Sequence, residues 1–370
     1  MSALREIHES HGATVTERGG RTVVDHYGRP ARAHQAVRNG VGLIEYGADL
    51  LVVTGEDRRD YVDNAVSNTV PTTDGRGVYA LLLTPQGRAR TDMYVYTARE
   101  RLLVVLPAGM GEPIASEWNE KTFIQDVDIE VATGEFGLFG VHGPMATEKL
   151  ASVLSTTTPE QHLRFVRGSM GDAGVTVVRT DAPTGEEGYD VICDAADARE
   201  VFDTLETRGL NAAPFGYRTW ETLTLEAGTP LFESELDGEV PNNLGLDAAI
   251  DYEKGCFVGQ EVVSRVANRG RPTKRLVGLT ASVVPETGAA VFDGDESVGT
   301  VTRACESPTL ERPIALALVD RAVGDRVGEE GALAVRVDGE EQPATAVELP
   351  FVEGSDRSGR LPTSGSSTAE

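Results

Sequence analysis

Lysine is scarce in this chain. Lys121, Lys149, Lys254 and Lys274 are the four lysines among 34 basic residues, set against 59 acidic ones for a formal net charge of -25. With no basic stripe to neutralise phosphates, nucleic acid is excluded as a direct partner. Acidity spread along the whole chain, with arginine in place of lysine, reads as a surface adapted to high salt, where screening removes self-repulsion. Cysteine is scarce too: Cys193, Cys256 and Cys305 are an odd set at wide spacing, without a CxxC or a neighbouring histidine pair. Neither a disulfide framework nor a metal site is indicated, and an iron–sulfur cluster held by this chain alone would be short of thiolates. Nowhere do eighteen or so apolar residues run together, and Met1-Ser2-Ala3-Leu4-Arg5-Glu6 has no apolar run after its charges. The expectation is a soluble, cytoplasmic protein with no membrane partner.

The sequence is richest at Lys254-Gly255-Cys256-Phe257-Val258-Gly259-Gln260-Glu261. Eight residues hold an ammonium, a thiol, two glycines, an amide and a carboxylate, and Val262, Val263 and Val266 predict a helix from Gly259 or Gln260. A cysteine before a helix start and near a lysine is expected to have a lowered pKa, since both favour the thiolate. A small buried hydrophobe is the alternative.

This octapeptide resembles the signature of the YgfZ family of folate-binding proteins, relatives of the glycine-cleavage T-protein linked to iron–sulfur cluster assembly and repair. The run Glu239-Val240-Pro241-Asn242-Asn243-Leu244-Gly245-Leu246 is similar to the segment leading into that signature, and the likeness extends over about residues 25–352.

Taken in order, residues 30–38 predict a helix stopped at Asn39-Gly40, residues 50–55 a buried strand and residues 56–66 a helix. Gly42-Leu43-Ile44-Glu45-Tyr46-Gly47 lacks the Ser-His-Met that the T-protein carries after its glycine-leucine turn, and is one residue shorter. Residues 78–83, 91–97 and 102–106 form a three-stranded meander, placing Asp92, Tyr94 and Tyr96 on one face of the middle strand. A carboxylate there requires a partner or a role. The resemblance implies that Asp92 is the carboxylate set against the folate amine, with Tyr79 and Tyr96 lining the folate pocket.

Residues 109–121 predict a helix, residues 129–132 and 136–141 strands, and Pro144 the first turn of another helix; His142 stands where the T-protein has glutamine. Thr184-Gly185-Glu186-Glu187-Gly188-Tyr189-Asp190 is a glycine loop feeding a strand. By resemblance its last carboxylate holds a pterin ring; here it is Asp190 rather than glutamate, with Glu187 as a further pocket residue. Residues 194–208 and 214–227 predict amphipathic helices. Trp220 aligns with an arginine near the folate in the T-protein, and could stack on a ring without supplying the charge.

The implied fold is α+β, a three-part cloverleaf of the T-protein type. Two interleaved α/β subdomains form a folate-binding core over residues 1–272, an antiparallel β-barrel spans residues 273–352, and residues 353–370 are expected to be a disordered tail. Three functions follow. The first is a tetrahydrofolate-binding protein supporting iron–sulfur cluster assembly or repair, with Cys256 as reactive thiol, Lys254 stabilising its thiolate, and iron–sulfur client or assembly proteins as partners. The second is a folate-dependent aminomethyltransferase using Asp92, and the third a folate-binding scaffold without turnover. In the single-site version Cys256 faces the cavity in which Asp92, Tyr96 and Asp190 converge.

Overall fold

The computed structural model describes residues 4–328 and 333–363. Its centre is a pair of sheets between which the chain passes twice. Strand Gly42–Glu45 belongs to a six-stranded sheet, in the order Phe165–Met170, Ala173–Arg179, Gly188–Asp194, Phe136–His142, Gly42–Glu45, Ala213–Pro214. The chain then builds a five-stranded antiparallel sheet, in the order Arg76–Leu83, Ala89–Ala98, Arg101–Leu106, Asp49–Thr54, Asp128–Val131, and returns to the first. This is the interleaving that the sequence led us to expect.

The sheets meet through apolar faces. Leu50, Tyr96 and Leu103 of the five-stranded sheet pack with Phe165, Val178 and Ile192 of the six-stranded one, all 5% exposed or less. Helices cover the outer faces: Ala198–Thr207 turns Ala198, Val201, Phe202 and Leu205 inward at helical spacing, and Gly111–Lys121 buries Ile114, Ala115 and Trp118.

A closed barrel follows, with strands in the order Lys274–Ala281, Arg312–Asp320, Glu296–Ser307, Ala290–Asp293, Leu333–Val337, Glu340–Val347. Closure leaves no free sheet edge. Arg303 fixes the barrel to the core: its buried guanidinium lies 3.0 Å from Glu235 of the π-helix Phe232–Leu236 and donates to Thr224 Oγ1 at 3.0 Å and the Thr229 carbonyl at 2.6 Å. Among the described residues no helix is long and apolar enough to cross a membrane.

Residues 353–363 differ from the disordered tail expected of their composition. The Asp356 amide donates to the Gly185 carbonyl at 3.1 Å, that of Gly359 to Asp181 at 2.7 Å, and that of Thr363 to Gly245 at 3.1 Å. Side chains add to the docking: Arg179 reaches Asp356 at 2.5 Å and Ser355 donates to Glu186 at 2.6 Å. Backbone pairing to preformed loops supplies the order that apolar periodicity would otherwise have announced. Residues 364–370 of the expected tail lie outside the described residues.

Candidate functional site

A cavity of about 170 Å³ opens where the two sheets, the helix Tyr217–Glu226 and the docked tail meet. One wall is the strand Ala89–Ala98, which turns Asp92, Tyr94 and Tyr96 toward it. Alternation along that strand puts all three on one face; the Tyr94 and Tyr96 rings are stacked, 6.2 Å between centroids. Trp220 also lines it, edge-on to Tyr46 at 5.4 Å between centroids.

Three carboxylates reach this aromatic space: Asp92, Asp181 and Asp190. Asp92 is 7% exposed and accepts a hydrogen bond from the Tyr79 hydroxyl at 2.8 Å. Burial raises its pKa, opposed by Arg360 and by the Tyr79 hydrogen bond. Asp181 accepts from the Tyr94 hydroxyl at 2.7 Å. Asp190, at the head of the strand Gly188–Asp194, is pushed up to about 7 by burial and by the neighbouring Asp181 charge. Its Oδ1 is shielded from water and has no hydrogen-bond partner.

Beneath Asp190, the Tyr46 hydroxyl lies 2.6 Å from His142 Nε2. Burial, with Arg179 nearby, pushes the imidazole down to about 3, so it is neutral at physiological pH. His142 supports the cavity floor from behind.

The fourth charged group of the interior is Arg360, from the docked tail. Its Nε is 3.1 Å from Asp181 Oδ2 and its Nη1 is 3.8 Å from Asp92 Oδ2. The guanidinium also lies 5.2 Å from the Tyr79 ring centroid and 5.8 Å from that of Tyr94. Arg18 and Glu233, 2.6 Å apart, stand on the rim.

With this geometry in hand, the chain can be set beside known proteins. Residues 4–254 match the GCVT N-terminal domain, and residues 274–353 match the glycine cleavage T-protein C-terminal barrel domain. The chain belongs to the glycine cleavage T-protein family. It is 34% identical over 363 residues to an aminomethyltransferase of Saccharopolyspora erythraea, covering 95% of this chain and 97% of the relative. Identity to an aminomethyltransferase of Streptomyces avermitilis is 33% over 365 residues, covering 95% and 96%. Among solved structures, the glycine cleavage system aminomethyltransferase T of Bartonella henselae superposes with a TM-score of 0.83 at 22% identity, covering 95% of this chain and 97% of that one. The last likeness establishes the T-protein fold.

Within this T-protein fold the expected site residues divide. Asp92, Tyr96, Asp190 and Trp220 line one cavity, and Tyr79 backs it through Asp92. Glu187 does not join them. Its carboxylate accepts from Thr147 Oγ1 and lies 3.6 Å from Arg179, in a polar network behind the tail.

Lys254 and Cys256 are separate from the cavity as well. Lys254 Nζ donates to the carbonyls of Asp63, Val66 and Asn68 at 2.5, 3.0 and 2.9 Å, and the side chain is 3% exposed. Its donors close the C-terminal end of the helix Arg58–Ala65, where unpaired carbonyls collect, and this directs the ammonium away from a thiolate-stabilising role. Cys256 is exposed, just ahead of the helix Gln260–Arg269. That helix starts against the hairpin turn of the five-stranded sheet: a Cβ on Gly259, whose φ is +85°, would lie 2.6 Å from the Thr84 carbonyl. Cys256 is not among the residues that line the cavity, so the single-site arrangement is not the one observed.

Sequence reasoning passed over Tyr46, Asp181, Arg18 and Arg360. Arg360 stands in a serine- and glycine-rich stretch, and the signal to be had there was Leu361-Pro362 directly after it, an apolar pair in a segment otherwise read as solvated. Asp181 sits in a loop outside any periodic run.

Proposed function

We propose that this chain is a folate-dependent one-carbon transferase of the aminomethyltransferase type, with tetrahydrofolate as the acceptor bound in the cavity. The observation that carries the reading is Asp190 Oδ1, a buried acceptor without a donor. Leaving such an atom unpaired costs about 1–3 kcal/mol, which a ligand offering adjacent N–H groups recovers. The amide and amino edge of a pterin is such a ligand, and a carboxylate can accept both in parallel. Tyr94, Tyr96 and Trp220 supply flat apolar walls for its rings.

Asp92 would accept a hydrogen bond from the reduced folate nitrogen and orient it as nucleophile. Its raised pKa brings it nearer to that of an effective general base. As the bond from that nitrogen to the transferred carbon forms, the bond between the carbon and its donor breaks, the donor leaves with the electron pair, and Asp92 takes the proton displaced from the nitrogen. The aminomethyltransferase names of full-length relatives support this assignment.

Equilibrium binding of tetrahydrofolate, followed by calorimetry in molar potassium chloride, tests the site. The parent binds and Asp190→Ala does not. An Asp92→Asn protein that still binds folate, about tenfold more weakly, but transfers no one-carbon unit completes the assignment, whereas a folded parent without affinity for tetrahydrofolate removes it.

One observation favours a second reading, support of iron–sulfur enzymes: Cys256 is exposed within an octapeptide that resembles the YgfZ signature. Loss of iron–sulfur enzyme activity in cells carrying Cys256→Ser, with one-carbon transfer intact, would move the function to that thiol.

A further inference from the structure

The buried carboxylates of the cavity have one cationic neighbour among its lining residues apart from the rim arginine, and it comes from outside both sheets. Arg360 is 7% exposed on its side chain, between Asp181 and Asp92 and against the faces of Tyr79 and Tyr94. Three acidic groups around one cavity repel one another strongly in a medium of low polarity. An uncompensated set would shed charge by protonation. The segment that carries Arg360 is held in place by several independent contacts, of Asp356 with Gly185 and Arg179, of Gly359 with Asp181, and of Thr229 Oγ1 with Ser358 Oγ at 2.7 Å. So many anchors around one inserted guanidinium mean that its position is specified.

We infer that Arg360 is a positioning residue for one-carbon transfer: delivered by the docked segment 353–363, it holds the Asp92 carboxylate charged and aimed into the cavity. The inference rests on the folate reading for its functional consequence. The groups facing Asp92 are Tyr79 from the adjacent strand, Tyr94 from its own strand, Asp181 from the loop after Ala173–Arg179, and Arg360; Asp190 and Glu233 lie around the same cavity. Of these only Arg360 carries positive charge, and Tyr79 adds a hydrogen bond. Arg360 lowers the pKa of Asp92 against a larger upward push from burial.

The test compares the parent with Arg360→Gln, Arg360→Lys and, as control, Arg357→Gln on the exposed side of the same segment. The first readout needs no ligand. The carboxyl stretch of Asp92 is followed by pH-difference infrared spectroscopy and assigned with Asp92→Asn. The second is tetrahydrofolate binding at pH 6 and pH 9. In Arg360→Gln, Asp92 ionises about one pH unit higher or more, and affinity falls about tenfold at pH 6 while recovering at pH 9. Arg360→Lys keeps most of both, and Arg357→Gln leaves both unchanged. An unaltered Asp92 titration in Arg360→Gln overturns the inference. So does an affinity loss that is equal at both pH values and shared by Arg360→Lys, which marks packing of the segment alone. If the parent binds no folate, the folate reading fails by itself, and the infrared titration still decides whether Arg360 controls Asp92.

Discussion

Lys254 and Asn68 are joined by a hydrogen bond of 2.9 Å from ammonium to backbone carbonyl, and the Asn68 side chain in turn donates to the carbonyl of Tyr79 at 3.0 Å. The cysteine-bearing loop and the strand that backs Asp92 are thus tied to the same short connection after the helix Arg58–Ala65. The lysine of the octapeptide works as a clamp.

Replacing Lys254 with methionine removes the donor to three carbonyls while keeping most of the apolar stem. The expected loss is about 2–4 kcal/mol of unfolding free energy, because buried carbonyls are left unpaired. Urea denaturation in molar potassium chloride measures it. A variant as stable as the parent would show that water replaces the ammonium freely.

Asp190 makes stability depend on pH with a definite sign. Its folded pKa of about 7 lies above the value of about 3.9 of an unfolded chain, so the folded state holds the extra proton between them. The stability attached to that proton is present below about pH 4 and lost as pH rises toward about 7. Asp190→Asn should therefore unfold at higher urea than the parent at pH 8, by on the order of a few kcal/mol at most, with the difference closing at pH 4. The same variant should lose affinity for tetrahydrofolate, opposing gains and losses that separate a ligand-binding carboxylate from a structural one.

Tyr79→Phe deletes the hydroxyl that donates to Asp92 at 2.8 Å and changes little else. A hydrogen bond to a charged group is worth about 1.5–3 kcal/mol, so one-carbon transfer should slow about tenfold or more. The acid side of its pH profile should move upward, since that bond lowers the pKa of Asp92. Steady-state rates across the pH range provide the measurement.

Arg303→Met leaves Glu235 buried without its cation. Breaking such a pair from one side costs about 3–5 kcal/mol. Because the pair joins the barrel to the π-helix on the cavity rim, both the thermal midpoint and folate affinity should fall. An intact midpoint would mean that Thr224 and Thr229 set the barrel's position through other contacts.

Much of the frame could be read from the residues. The helix Pro30–Asn39 follows from proline at its start and Asn39-Gly40 at its end, and the meander that carries Asp92 from turn residues between apolar runs. The barrel was expected from the family resemblance, and short strands with turn residues between them, such as Lys274–Ala281 and Ala290–Asp293, agree with it. The convergence of Asp92, Tyr96 and Asp190 was legible through the family resemblance, since nothing in their spacing along the chain brings them together. Lys254 was misread because proximity in sequence to Cys256 says nothing about where a flexible side chain finds acceptors. The segment 353–363 was misread because composition registers a lack of apolar surface and is blind to docking by backbone hydrogen bonds.

The placement of Arg360 also sets an order of assembly. Both sheets, the helix Tyr217–Glu226 and every barrel strand precede it in the chain, so the cavity's other walls can form while its interior carboxylates still lack their counter-ion. Closure then depends on contacts of very long sequence separation, the slowest kind to form. A refolding experiment should see the tyrosines around the cavity reach their final environment later than the backbone of the sheets, and a chain halted before Arg360 would hold an open, acidic cleft where the finished protein holds one partly offset by a guanidinium.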